Sequence, residues 1–163
     1  KLKPSFRKDG TVTAGNSSGI TDGAAAVVVM SMRKAKELGL KPWYLIRSWA
    51  HGNVEPAIMA ISPVPATRNA VQKAELKMEE IDLFEINEAF AIKVVGCERE
   101  LKIENAKINV HGGSIAIGHP IGACGTRIFV TLLYALEDRG LRYGVATMGA
   151  GGGEGNALVV ERI

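Results

Sequence analysis

The chain has 163 residues, 47% hydrophobic and 23% charged, with a formal net charge of +3. That length supports one domain with a genuine core rather than two, and the composition excludes a disordered segment. The basic residues fall in separate segments, Lys34 and Lys36, Lys102 and Lys107, Arg139 and Arg142; this argues against a nucleic-acid face but suits a phosphorylated small molecule.

In chain order, Ala24 to Ser31, "AAAVVVMS", reads as a buried strand bounded by Asp22-Gly23. Met32 to Leu38 reads as a short helix closed by Gly39, and Trp43 to Trp49 as a strand. His51 to Pro65 carries three prolines and is expected to be an irregular connection. Ala66 to Ala74 reads as a helix opened by Pro65. Ile81 to Ile86 is a strand, Glu88 to Leu101 has helical spacing, and Ile108 to Val110 is a short strand. Gly122 to Arg139 predicts a long helix with Ile128, Leu132, Leu133 and Leu136 on its apolar side and Gly140 as its stop. Tyr143 to Met148 and Ala157 to Arg162 flank a glycine-rich turn and predict a terminal antiparallel pair. The alternation implies an α/β domain with a largely parallel sheet and helices on both faces.

No apolar run reaches membrane-spanning length and no secretory signal opens the sequence. The two cysteines, Cys97 and Cys124, have no metal-ligand spacing and make no disulfide framework, so no metal and a reducing compartment are expected: the cytoplasm, or an organellar matrix in a eukaryote. The sequence starts at Lys1 on a polar loop, which reads as the later part of a longer polypeptide.

Four segments carry candidate chemistry. In Gly118-His119-Pro120 the proline keeps His119 out of a helix, so the imidazole projects from a loop before the long helix. The partial positive charge of that helix start would keep the ring neutral, as a general base requires; a structural histidine in a tight turn is the alternative. Asn87, at a strand end, fits either an N-cap or an oxyanion donor, and Glu88 fits either a solvated carboxylate or a brace for the following loop. "GAGGGEG", Gly149 to Gly155, suits a backbone that presents its amides to a ligand, or a plain hairpin turn. Ser17 and Ser18, in "TAGNSSGITDGAA", suit ligand contacts or turn caps.

Together "GNSSGITDGAAA", "NEAFA", "GGSIAIGHPIGACGTR" and "ATMGAGGGEGNALVVER", in this order, resemble the C-terminal part of the thiolases, the acetyl-CoA acetyltransferases and 3-ketoacyl-CoA thiolases. The resemblance runs from Leu2 to Arg162 and includes a Gly/Ser-Pro-Ile/Val-Pro-Ala element, here beginning at Ser62. It implies a βαβαβαββ layered domain, a five-stranded mixed sheet between helices. Residues 1–23 would then end a preceding loop region with a coenzyme A contact, and residues 24–163 would form the C-terminal domain. The implied reaction is the reversible Claisen condensation or thiolysis of acetoacetyl-CoA or a 3-ketoacyl-CoA through an acyl-cysteine, with the CoA thioester as substrate and no covalently bound cofactor.

By the same resemblance His119 activates the nucleophilic cysteine, Asn87 fixes a water in an oxyanion hole, and Gly151 lies in the loop of a second one. Ser18 contacts the pantetheine, and Ala89 and Phe90 line its reactive end. Two departures stand out. The nucleophilic cysteine belongs to an N-terminal half with no counterpart in this sequence, so that half is the implied partner, within a dimer or tetramer. The second active-site cysteine of the family is replaced by Gly149. The chain alone is therefore expected to be inactive or crippled, with a catalytically incomplete acyl-CoA-binding or accessory subunit as the alternative. Neither nucleic acid nor membrane is an expected partner.

Overall fold

Apolar alternation in four segments builds one sheet, in the order β1–β4–β3–β2, in a computed structural model that describes residues 1–163. The strands are β1 (Tyr44–Asn53), β2 (Leu83–Ile86), β3 (Tyr143–Gly149) and β4 (Glu154–Arg162). β3 and β4 form the expected antiparallel pair, in register from Tyr143 opposite Glu161 to Gly149 opposite Gly155. β1 adds antiparallel to the far side of β4, and β2 runs parallel to β3 with Ile86 opposite Thr147. The sheet is mixed, as the family resemblance implies, but it is not largely parallel. Of the strands that pair, only β2 and β3 are joined by a long helical crossover, whereas β4 returns through a tight turn and must run antiparallel.

The sheet has four strands rather than five. Ala24 to Ser31 is no buried strand: no backbone hydrogen bond within the chain involves residues 22–30, and Val28 is 87% exposed. A β-branched run becomes a strand only where a neighbour completes its ladder, and this chain supplies none. Ile108 to Val110 shrinks to a single parallel bridge between Ile108 and Phe84. There Asn109 turns into the left-handed region (φ 46°), and its side-chain amide finishes the pairing. It accepts from Ile86 N–H at 2.8 Å and donates to Ile86 C=O at 2.9 Å.

The helices are α1 (Met32–Glu37), α2 (Pro63–Lys73), α3 (Ala91–Leu101), the single turn α4 (Ser114–Ile117) and α5 (Cys124–Arg139). Strand alternation sorts the core into two layers. Phe84, Ile86, Val145 and Val159 pack with Val71, Cys97 and Leu101 of α2 and α3. Leu83, Ala146 and Val160 pack on the other face with Ile128, Leu132 and Leu136 of α5. Each such fully buried aliphatic side chain contributes roughly 1.5–3 kcal/mol. α5 ends as expected on Gly140, in the left-handed region. α3 starts three residues later than its periodicity suggested, with Phe90 rather than Asn87 at its N-cap. No helix is long and apolar enough to cross a membrane.

Candidate active site

Asn87 follows β2 directly, and Gly149 closes β3, so the two meet at the C-terminal ends of the parallel pair, where α/β sheets hold ligands. Asn87 is 1% exposed and its N–H donates to Thr147 C=O at 3.0 Å, extending the ladder by one residue. Its side chain therefore points into the protein instead of capping a helix. Nδ2 donates to Cys124 Sγ at 2.9 Å and reaches Ser114 Oγ at 3.5 Å, while Oδ1 accepts from Lys93 Nζ at 3.4 Å. Arg127 donates to Ser114 Oγ at 2.8 Å. One amide thus ties β2 to α3, α4 and α5.

Glu88 is a brace rather than a solvated carboxylate. It accepts from Asn109 Nδ2 at 2.8 Å and from the Ile115 N–H at 3.0 Å, fixing the segment that leads to His119. A Cβ on Gly113 would fall 2.2 Å from the Glu88 carboxyl carbon, so that segment can sit against the carboxylate only as glycine.

His119 lies in the loop between α4 and α5, as the Gly-His-Pro order predicts. Gly118 before it has φ 97°, and a Cβ there would lie 2.5 Å from Thr21. The His119 N–H donates to Gly19 C=O at 2.9 Å, and Ile20 bridges His119 in parallel. On its other side the same strip joins the turn after β2. Ser18 donates to Ala89 C=O from both N–H and Oγ at 3.1 Å, and Ser17 bridges Phe90. Ser18, Ala89, Phe90 and His119 are thereby stitched together through residues 17–20. Burial holds His119 below the ordinary imidazole range, and the positive charges of Lys93 and Arg127 act in the same sense. The direction is the expected one; the cause is not the helix start, because α5 begins only at Cys124.

At Gly149 a Cβ would lie 2.4 Å from Ser62 Oγ and 3.1 Å from Lys93 Nζ. Ser62, which opens the Ser-Pro-Val-Pro-Ala element, and Gly149 are therefore neighbours in space. Ser62 is fully buried, and its hydroxyl has no hydrogen-bond partner in the chain. Gly151 opens a turn (Gly151–Gly153) that is folded back against residues 54–62: a Cβ on Gly153 would come within 2.2 Å of Val54 C=O. Gly151 itself is exposed, and a side chain there would meet nothing.

Sequence reasoning missed Lys93, Ser114, Arg127 and Asn109. Lys93 carried a readable signal, because it shares the inward stripe Lys93, Cys97 and Leu101 at helical spacing. A charge on an apolar stripe is either paired or functional. The cysteines divide. Cys97 is a packing residue whose thiol burial pushes up to about 12, against the opposing charge of Lys93. Cys124 packs too, and it also accepts the Asn87 amide.

Models of the thiolase N-terminal and C-terminal domains match residues 1–33 and 40–162. Acetyl-CoA acetyltransferase of Chromobacterium violaceum is 56% identical across 99% of this chain and 41% of its own length. The enzyme of the same name from Escherichia coli is 52% identical with the same coverage. The crystal structure of Bacillus anthracis acetyl-CoA acetyltransferase superposes with a TM-score of 0.97 at 49% identity, over 99% of this chain and 41% of that one. Human mitochondrial 3-ketoacyl-CoA thiolase, in complex with CoA, gives 0.98 at 44% identity, over 100% of this chain and 41% of that one. The chain thus spans about two-fifths of the length of these relatives. Its unpaired strip 22–30 lies inside the part that matches the N-terminal domain. With both domain models matched in order along it, the chain belongs to the thiolase family of acyltransferases.

Proposed function

We propose that this chain is the C-terminal part of an acyl-CoA acyltransferase that makes or cleaves 3-ketoacyl-CoA thioesters, acetoacetyl-CoA among them. The observation that carries the reading is the strip 17–20, which bridges His119 on one side and Ala89–Phe90 on the other. It sets a neutral imidazole beside the segments suited to a CoA thioester. Neutral His119 takes the proton of a cysteine thiol supplied by the N-terminal half, and that thiolate attacks the thioester carbonyl. Charge then collects on the carbonyl oxygen. By the family resemblance His119 and a water held by Asn87 form one oxyanion hole, and the Gly151 loop supplies a backbone amide to a second; one such donor is worth about 3–4 kcal/mol. Ser18, Ala89 and Phe90 line the pantetheine arm. The partners are the N-terminal half, a second copy in a dimer or tetramer, and the acyl-CoA. A reducing compartment such as the cytoplasm or an organellar matrix keeps the thiol chemistry available.

The test is acylation of the protein that joins this chain to its N-terminal half. Mixing with acetyl-CoA should release CoA in a burst and add an acetyl group to the protein, and His119→Ala should slow the burst about 10²–10⁴-fold. A parent protein that binds acetyl-CoA without becoming acetylated would instead support an accessory acyl-CoA-binding subunit, the reading that Gly149 favours. A parent that does not bind it would sink both.

A further inference from the structure

The most unusual group in the site is the amine of Lys93. Lys93 is 5% exposed and lies on the inward stripe of α3. No carboxylate lies within salt-bridge distance of it. Its Nζ makes only two long contacts, 3.4 Å to Gly149 C=O and 3.4 Å to Asn87 Oδ1, both neutral oxygens. A buried ammonium normally has an anion beside it, because stripping water from a charge costs several kcal/mol. Here that counter-charge is missing, while the amine is held against the two positions, Asn87 and Gly149, at which the β2 and β3 ends converge.

Gly149 is the other half of the arrangement. Its bare backbone leaves open the space beside the amine, and a Cβ there would press on Nζ and on Ser62 Oγ. Lysine on α3, serine before α2 and glycine at the end of β3 therefore share a volume that a larger residue at 149 would need. The amine takes up the reach that a side chain at 149 would otherwise have into the site.

We propose that Lys93 is the catalytic base that removes and returns the α-proton of the acyl-CoA in this enzyme, acting from the space left by Gly149. The inference rests on the acyl-CoA reading of the site. The neutral amine lone pair takes a proton from the carbon next to the thioester carbonyl and becomes an ammonium. The C–H electron pair forms the enolate double bond, and the charge moves to the thioester oxygen. In the reverse direction the ammonium returns that proton to carbon, so neither oxidant nor co-reactant is needed. Supporting this, burial lowers the pKa of Lys93, against the opposing influence of Cys97 on its own helix and Cys124 on α5. Lys93, and Arg127 on α5, both act on His119, and by reciprocity a protonated His119 disfavours the Lys93 ammonium. Glu85, the buried carboxyl of β2, is pushed up to about 8 by burial, which Arg127 opposes and Glu88 reinforces; it brings little negative charge at neutral pH.

The experiment is exchange of the acetyl-CoA methyl hydrogens in D₂O, followed by mass spectrometry, with the protein that joins this chain to its N-terminal half. Exchange needs proton transfer but no carbon–carbon bond. Lys93→Met, close in shape and uncharged, should lower the saturating exchange rate at least 100-fold. Lys93→Arg keeps the charge but cannot accept a proton, and should be equally inactive. The parent rate should rise with pH along a limb well below the ordinary lysine value of about 10.4, and that limb should vanish in both variants. Raising the melting temperature without loss of exchange would mark Lys93→Met as the relief of a structural lysine and overturn the proposal, as would exchange retained in Lys93→Arg. In either case the acylation burst still tests the acyl-CoA reading independently.

Discussion

Two side chains at the site make separable predictions. His119 is held below the ordinary imidazole range first by burial and then by Lys93 and Arg127. A base works in its neutral form, so the acidic limb of the acylation rate should fall below the usual histidine value of about 6.5. The sign for stability agrees: a depressed folded pKa makes protonation costly, so His119 lowers stability as pH falls from about 6.5 through its folded pKa. A pre-steady-state pH profile of CoA release checks the first statement, and a limb at or above 6.5 would contradict it. Ser62 and Gly149 make the second prediction. A Cβ at 149 lies 2.4 Å from Ser62 Oγ, so Gly149→Cys alone overpacks against the fully buried Ser62, at a cost of about 1–3 kcal/mol. Ser62→Gly removes the clashing hydroxyl. The double variant Ser62→Gly/Gly149→Cys should therefore melt above Gly149→Cys, with a coupling energy of at least about 0.5 kcal/mol in a double-mutant cycle. Additive behaviour would show that the two positions do not compete for space.

At the level of elements, the loop that carries His119 owes its position to a carboxylate two segments away in the chain. Glu88 holds Asn109 Nδ2 and Ile115 N–H, and Asn109 in turn completes the β2 edge. Glu88→Ala removes the two hydrogen bonds that the carboxylate accepts from Asn109 Nδ2 and Ile115 N–H and frees the start of α4, so it should cost about 1.5–3 kcal/mol. It should also slow acylation by loosening His119, whereas Glu88→Gln, which can still accept one bond, should lose less of both. Calorimetry and burst kinetics on the same samples check this, and equal losses in the two variants would argue against the brace. The sequence made the outline of these elements legible. The 3.6-residue pattern and Gly140 marked α5, alternation marked β3 and β4, and the proline marked His119 as a loop residue. The rest was set by tertiary contacts. Asn109 replaces a strand with a side chain, which no periodicity records. Lys93 was visible only as a charge on an apolar stripe, and its meaning depends on Gly149, 56 residues away in the chain. Of the candidate site, the sequence showed the separate pieces, while the strip 17–20 that joins them appears only in three dimensions.

On the scale of the whole molecule, the chain carries an apolar face that it does not cover. Val27, Val29, Met30, Trp43, Phe129 and Leu133 line a groove of ≈ 680 Å³ that lies between the unpaired strip, β1 and the outer side of α5. The His119 cluster is not part of it, so the groove lies apart from the candidate site. Its strip has free backbone donors and acceptors along residues 22–30, falls within the match to the thiolase N-terminal domain, and meets Phe129, Val130, Leu133 and Tyr134 of α5. A contiguous exposed patch of this kind is a partner surface or an aggregation liability. The expected occupant is the N-terminal half, adding a strand beside residues 24–30 and packing on α5. Expressed alone, the chain should bind a hydrophobic dye and self-associate; joined to the N-terminal half, it should elute as a defined oligomer and lose dye binding. Val29→Lys places a charge in the groove and should weaken the joined form, in which the site is buried, more than it harms the isolated chain, in which Val29 is already 64% exposed. Sedimentation of both forms, with and without the substitution, decides this. An isolated chain that stays monomeric and dye-free would mean that the face is satisfied without an N-terminal half.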